Sequence, residues 1–157
     1  MIINVLLIED SDSDAALIKA TLNRNVRQNK LHEKVNVVRV RNLAEAVRHL
    51  TEKNQIDLIM TDLALPDSSG VDTVKKLEKW RDNCPIVVIT GRDDEELMRA
   101  CISEGAFTYL YKGDINGNVR HSIIQAHAKK LANIEQVQKI KQTIKECFPL
   151  ELIENGV

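Results

Sequence analysis

Three stretches of the chain are unbroken apolar runs: Val5-Leu6-Leu7-Ile8, Leu58-Ile59-Met60 and Ile86-Val87-Val88-Ile89. A strand with one face in water alternates apolar and polar residues, whereas a strand covered on both faces has no reason to. Runs of this kind therefore predict the central strands of a parallel sheet, with helices packed on both sides. The full strands are expected over Ile2 to Ile8, Ile56 to Thr61 and Ile86 to Thr90. Two further β-rich segments, Val35 to Val40 and Phe107 to Tyr111, bring the number to five.

The segments between the strands carry apolar residues three or four apart, the spacing of one helix face. Ala16, Leu17, Ala20 and Leu22 mark the first helix, and Leu43, Ala46, Val47 and Leu50 the second. Val71, Val74 and Leu77 mark the third, and Leu97, Cys101 and Ile102 the fourth. Local signals set the ends: Asp12 or Ser13 caps the first helix, Asn42 the second, and Ser69 or Gly70 the third. Gly105 is placed to stop the fourth. Strand and helix thus alternate along the chain, and right-handed crossovers make this an open, doubly wound α/β sheet.

With 157 residues the chain has material for one sizeable core. Its 22 basic and 23 acidic residues leave a net charge of -1, so nothing in the charge balance favours nucleic acid or a membrane surface. Cys84, Cys101 and Cys147 are odd in number and unpaired in spacing, the pattern of a reduced, cytoplasmic protein. His32, His49, His121 and His127 stand singly, without metal-ligand spacing. Residues 118 to 148 contain no Gly or Pro, and Val119, Ile123, Ala126, Leu131, Ile134, Val137, Ile140 and Ile144 recur at helical intervals. That is far longer than an average helix of roughly 11–12 residues. The expected organisation is a domain over 1–128 and a helical extension and tail over 129–157. The extension either folds back on the domain or projects and pairs with a second copy or a partner; the second reading is the one carried forward.

Ligands of an open parallel sheet bind at the carboxyl ends of the strands. Those ends carry Glu9-Asp10, Asp62, Thr90 and Lys112. Three carboxylates crowded together repel and favour a hard cation, and oxygen-only ligands suit Mg2+. Asp10 and Asp62 are expected to ligate directly, Glu9 through water, and the Ala64 backbone carbonyl to complete the protein's share. Lys112 supplies a compact positive charge for a phosphoryl oxygen, and Thr90 a hydroxyl. Asp62 is the candidate nucleophile, since a carboxylate can form an aspartyl phosphate.

Glu9-Asp10, the stretch Asp62 to Gly70, Thr90-Gly91, Gly105-Ala106 and Tyr109 to Lys112 together resemble the receiver domain of two-component response regulators. The resemblance covers about residues 2 to 128. It implies a flavodoxin-like, five-stranded parallel sheet in the order 2-1-3-4-5. It implies Glu9 and Asp10 as the acidic metal pair, Asp62 as phosphoacceptor, Thr90 as switch hydroxyl and Lys112 as the pocket lysine. Tyr109 then matches the aromatic that turns inward on activation. The implied function is phosphorelay signalling: a histidine kinase or histidine phosphotransfer protein phosphorylates Asp62, and a protein target reads the changed surface. A stand-alone receiver of this kind is not an enzyme in the usual sense.

Two departures from the family pattern stand out. Gly113 follows the lysine where proline is common, and its conformational freedom allows a more mobile loop. In the family, the positions of Ala64 and Arg92 influence how water reaches the phosphoryl group: Ala64 offers no side chain to guide water, and Arg92 is placed to shield or bind the phosphate. The alternatives to a receiver are an aspartate-nucleophile phosphohydrolase, which would need an acid at Ala64, and a phosphorylation-independent scaffold. Several polar residues read as purely structural. Asp12, Asp14 and Asp67 are expected to be helix caps or solvated turn residues, and Trp80 a packing residue. The run Asp93 to Glu96 opens a helix, where the dipole favours negative charge.

Overall fold

The computed structural model describes residues 1–28, 34–52, 55–91 and 93–148. His32 and Arg92, singled out above, lie outside the described residues, as does 149–157 of the extension. Five strands form the main sheet: β1 (Ile2–Ile8), β2 (Lys34–Val40), β3 (Leu58–Asp62), β4 (Ile86–Thr90) and β5 (Thr108–Tyr111). The helices between and after them are α1 (Asp12–Gln28), α2 (Leu43–Thr51), α3 (Val71–Leu77), α4 (Glu95–Ser103) and α5 (Ile115–Cys147). The spatial order is β2-β1-β3-β4-β5 and every pair is parallel, as expected of the doubly wound class.

The unbroken apolar runs serve two cores at once. Leu6, Ile8, Ile59, Ile86 and Val88 pack on one face with residues of α2, α3 and α4. Val5, Leu7, Leu58, Met60, Val87 and Ile89 pack on the other with residues of α1 and α5. Alternate side chains point to opposite faces, so both sets must be apolar. Register then levels the strand ends: Ile8 pairs with Thr61, Asp62 with Ile89, and Thr90 with Tyr111. The residues that follow or finish these strands share one edge.

Helix ends largely follow the expected chemistry. Asn42 accepts a hydrogen bond from the Glu45 N–H at 2.8 Å, and Glu45 accepts in return from the Arg41 N–H at 3.0 Å, a reciprocal cap. After α4, the Ala106 N–H donates to Cys101 and the Gly105 N–H to Ile102, with Gly105 at φ 110°. This is the left-handed stop for which glycine is suited. The α1 expectation is corrected. Neither Asp12 nor Ser13 caps that helix; the Ser11 hydroxyl accepts from the Asp14 N–H at 3.3 Å.

A short antiparallel ladder, Ala64–Leu65 with Ser68–Ser69, lies between β3 and α3. Local pattern gave no hint of it. Helix α5 is 33 residues long. Ile115, Val119, Ile123 and Ala126 are buried against the domain, and Lys130 makes a last anchor with its ammonium 2.7 Å from Asp57. Beyond it Asn133, Ile134, Val137 and Lys141 still line a cleft with Asp82 and Asn83, but the apolar stripe is largely open: Ile134 is 36% exposed, Val137 49%, Ile140 52% and Ile144 54%. The fold-back reading does not hold for these residues. No described helix is long and apolar enough to cross a membrane.

Candidate phosphoacceptor site

Asp62 ends β3 and is nearly buried. Its Oδ1 accepts from the N–H groups of Leu63 at 2.7 Å and Ala64 at 3.2 Å, which fixes the carboxylate's orientation. Its Oδ2 accepts from Lys112 Nζ at 2.9 Å. Glu9, the first residue past β1, is completely buried. Its Oε1 accepts from the Ser11 N–H at 3.1 Å, and its Oε2 lies 3.0 Å from Lys112 Nζ, close enough for an ion pair but without an aligned hydrogen bond. Asp10 is exposed at the mouth of the site.

Carboxylate oxygens of Glu9, Asp10 and Asp62 come within 4.8 Å of one another. Burial pushes the Glu9 carboxyl above its usual range; the Ser11 N–H and Lys112 oppose this, and the Asp62 charge adds to it. Lys112 is the converse case. Burial disfavours its charge, but hydrogen bonds to Asp14 and Asp62 and the nearby Glu9 carboxylate outweigh that and hold its pKa well above the ordinary value. Acids thus outnumber the one lysine, and the donor set is all oxygen. The residues fit a hard divalent cation.

Beside the cluster opens a cleft of about 600 Å³, lined among others by Asp62, Ala64, Gly70, Thr90, Asp94 and Lys112. Thr90, the last residue of β4, is almost fully buried. Tyr109 is 38% exposed on β5 and lies edge-on to Tyr111, with ring centroids 5.7 Å apart and planes at 77°. It points outward, along a surface groove shared with Met98, Arg99 and Ile102 of α4. The Tyr111 hydroxyl donates to Asp93 at 3.0 Å.

Every candidate site residue therefore sits on one edge of the sheet, with Tyr109 beside it. Several surrounding assignments need correcting. Asp14 is not a cap or a solvated turn residue: its Oδ2 accepts from Lys112 Nζ at 2.7 Å. The available signal was the last of four acids between Glu9 and Asp14, at the start of a helix that must rise from the same edge. Asp12 accepts from Arg39 at 2.6 Å and from Arg41 at 2.7 Å, and that pairing holds its carboxyl below the usual range. Arg39 Nε also donates to the Glu9 carbonyl at 2.9 Å, tying the acidic loop to β2.

Asp67 does cap a helix, but a distant one: its carboxylate accepts from the N–H groups of Leu43 and Ala44 at the start of α2. Asp94 caps α4 through the Leu97 N–H at 3.0 Å, as a helix-opening acid should. Gly113 makes no use of glycine's freedom, since the positive-φ glycines among the described residues are Gly70 and Gly105. Its missing side chain has open space around it. Trp80 packs against the core as expected, with Lys79 Nζ 4.3 Å from its ring. Burial raises the Cys101 thiol, the state of an inert structural cysteine.

Fold and site define a phosphoacceptor class, and the relatives agree. The family model of the response regulator receiver domain matches residues 5–124, and the chain belongs to that family. It is 26% identical over 152 residues to the response regulator protein PilR of Pseudomonas aeruginosa, covering 97% of this chain and 32% of that one. It is 26% identical over 147 residues to a cyclic di-GMP phosphodiesterase of Thermotoga maritima, covering 94% and 37%. The chain thus spans about a third of the length of these relatives. The crystal structure of the signal receiver domain of an HD domain-containing protein from Pseudomonas fluorescens superposes with TM-score 0.70 at 19% identity, covering 85% of this chain and 92% of that one.

Proposed function

We propose that Asp62 accepts a phosphoryl group from a histidine kinase or histidine phosphotransfer protein. The observation that carries this reading is the split environment of its carboxylate. One oxygen is held by two backbone N–H groups, and the other is paired with Lys112 at the cleft wall. The attacking oxygen forms the new O–P bond while the bond from phosphorus to the donor nitrogen breaks. Lys112 neutralises charge on the phosphoryl oxygens, and the Thr90 hydroxyl donates to one of them. Mg2+, held by Asp10, Asp62 and the Ala64 carbonyl with Glu9 acting through water, would supply the remaining charge neutralisation. Glu9, buried and crowded by Asp62, supports that assignment.

Every residue in this step lies between Glu9 and Lys112, so a receiver over 1–128 carries the chemistry by itself, as a signalling domain rather than an enzyme. Its setting is cytoplasmic. Drawing Thr90 toward the phosphoryl group leaves room for Tyr109 to turn inward, which changes the groove beside α4 that a protein target reads. The exposed stripe of Leu131, Ile134, Val137, Ile140 and Ile144 in the 129–157 extension supports pairing with a second copy. At about 25 cal/mol per Å² of apolar surface, covering several such side chains is worth a few kcal/mol. Neither nucleic acid nor a membrane is part of this reading.

The test is intact mass after incubation with acetyl phosphate. Mg2+ should permit one acid-stable, base-labile phosphoryl group, chelation should prevent it, and Asp62→Asn should abolish it. Full labelling of the Asp62→Asn protein would sink the assignment.

A further inference from the structure

We propose that Asp14 is a positioning residue that governs how Lys112 is shared between the resting pocket and a phosphoryl group; this rests on Asp62 being the acceptor. A lysine ammonium has three protons. Here three carboxylates from three different elements surround it: Asp14 at 2.7 Å, Asp62 at 2.9 Å and Glu9 at 3.0 Å. Asp14 makes the shortest of these contacts across 98 residues of sequence, from the first turn of α1. It is also the one of the three that stands outside the cluster of Glu9, Asp10 and Asp62 suited to hold a cation. Its carboxylate therefore acts on the lysine and not on the metal.

Two consequences of opposite sign follow. At rest, Asp14 draws the ammonium toward α1, so Lys112 leans less heavily on Asp62 and Glu9 and competes less with a cation for their oxygens. Once Asp62 is phosphorylated, the same contact works against the product. The phosphoryl oxygens need the lysine's protons, and Asp14 retains one of them. Asp14 thus favours metal binding in the resting state and shortens the life of the phosphorylated state. A residue that only scaffolded the loop would support both or neither.

The experiment compares the full chain with Asp14→Asn, which keeps the shape and removes the charge. Calorimetric titration with Mg2+ alone reads the unphosphorylated pocket. Decay of the acetyl phosphate-labelled protein at saturating Mg2+ reads the phosphorylated one. For a half-exposed ion pair the expected change is about threefold in each: weaker Mg2+ binding and a longer-lived phosphoryl group. Asp14→Glu should stay close to the parent in both. In a Lys112→Ala background, Asp14→Asn should no longer change Mg2+ affinity. Parallel losses of Mg2+ affinity and phosphoryl lifetime would reduce Asp14 to a scaffold and overturn the proposal. Unchanged Mg2+ affinity in Asp14→Asn overturns it too, whether or not phosphorylation works. A parent chain that takes up no phosphoryl group overturns the acceptor reading instead, and the two failures remain distinct.

Discussion

The two edges of the sheet each set a lysine against acid, and the contrast between them separates stability from function. At the amino edge, Lys130 meets the single carboxylate of Asp57 at 2.7 Å, and the other Asp57 oxygen accepts from the Asn4 N–H at 2.8 Å. One charge answers one charge. At the carboxyl edge, Lys112 stands against Glu9, Asp14 and Asp62, with Asp10 beside them. Helix α5 begins just past Lys112 and carries Lys130, so one element joins both edges. A balanced, partly buried pair locks structure. A pocket with more acid than base stays electrostatically unfinished until a cation or a phosphoryl group changes its charge.

Titration should separate the two edges by sign. Burial opposes ionisation of Asp57, but the Asn4 N–H and Lys130 prevail, so its carboxyl lies below the usual value. Its stabilisation is present above the unfolded carboxylate pKa and is lost as pH falls through the lowered folded value. For Glu9 the folded value is raised. Its ionised form therefore costs stability at neutral pH, and the cost disappears as pH falls through that raised value.

The largest expected effect breaks the balanced edge. Asp57→Ala takes the carboxylate from the Asn4 N–H and from Lys130, which keeps only the Ile56 carbonyl at 3.4 Å, and should lower stability by about 2–3 kcal/mol in denaturant unfolding. Acetyl phosphate labelling of Asp62 should survive it. A comparable loss of labelling would mean that the two edges are not independent.

Next comes the overloaded edge. Asp10→Ala should weaken Mg2+ binding by about tenfold or more, while the fold remains intact because a repelling charge has gone. Equal affinities for mutant and parent would place the metal elsewhere. Glu9→Gln is smaller and sharper. Without Mg2+ it should raise stability by about 1 kcal/mol at neutral pH, with the gain vanishing in acid. A destabilised Glu9→Gln protein would show that Glu9 serves its edge structurally, as Asp57 serves the other.

The smallest thermal effect should come from cutting the helix beyond its anchor. Removing the chain from Ala132 onward deletes a segment whose described residues, up to Phe148, are mostly exposed, leaving Lys130 on Asp57. Thermal midpoint and Asp62 labelling should hardly move, whereas light scattering should show a dimer becoming a monomer. A monomeric parent at high concentration, with and without phosphorylation, would reject pairing through the stripe.

Much of this chain was legible before its structure, for a local reason. Unbroken runs such as Ile86 to Ile89 announce burial on both faces, and the parallel sheet places whatever ends them on one edge. Glu9, Asp10, Asp62, Thr90 and Lys112 could be brought together on that basis alone. The length of α5 was equally plain, since nothing in 118–148 breaks a helix. What the tertiary structure decided are the partnerships of side chains far apart in sequence. The sequence reading left Asp14 and Asp67 as local caps or turns. The fold gives Asp14 to Lys112, and Asp67 to the start of α2 more than twenty residues away. It also decided that α5 runs on into solvent instead of folding back, and that Tyr109 lies outward. Backbone preference and burial periodicity are written residue by residue. The acid a lysine meets depends on where whole elements lie in space, and no local pattern encodes that.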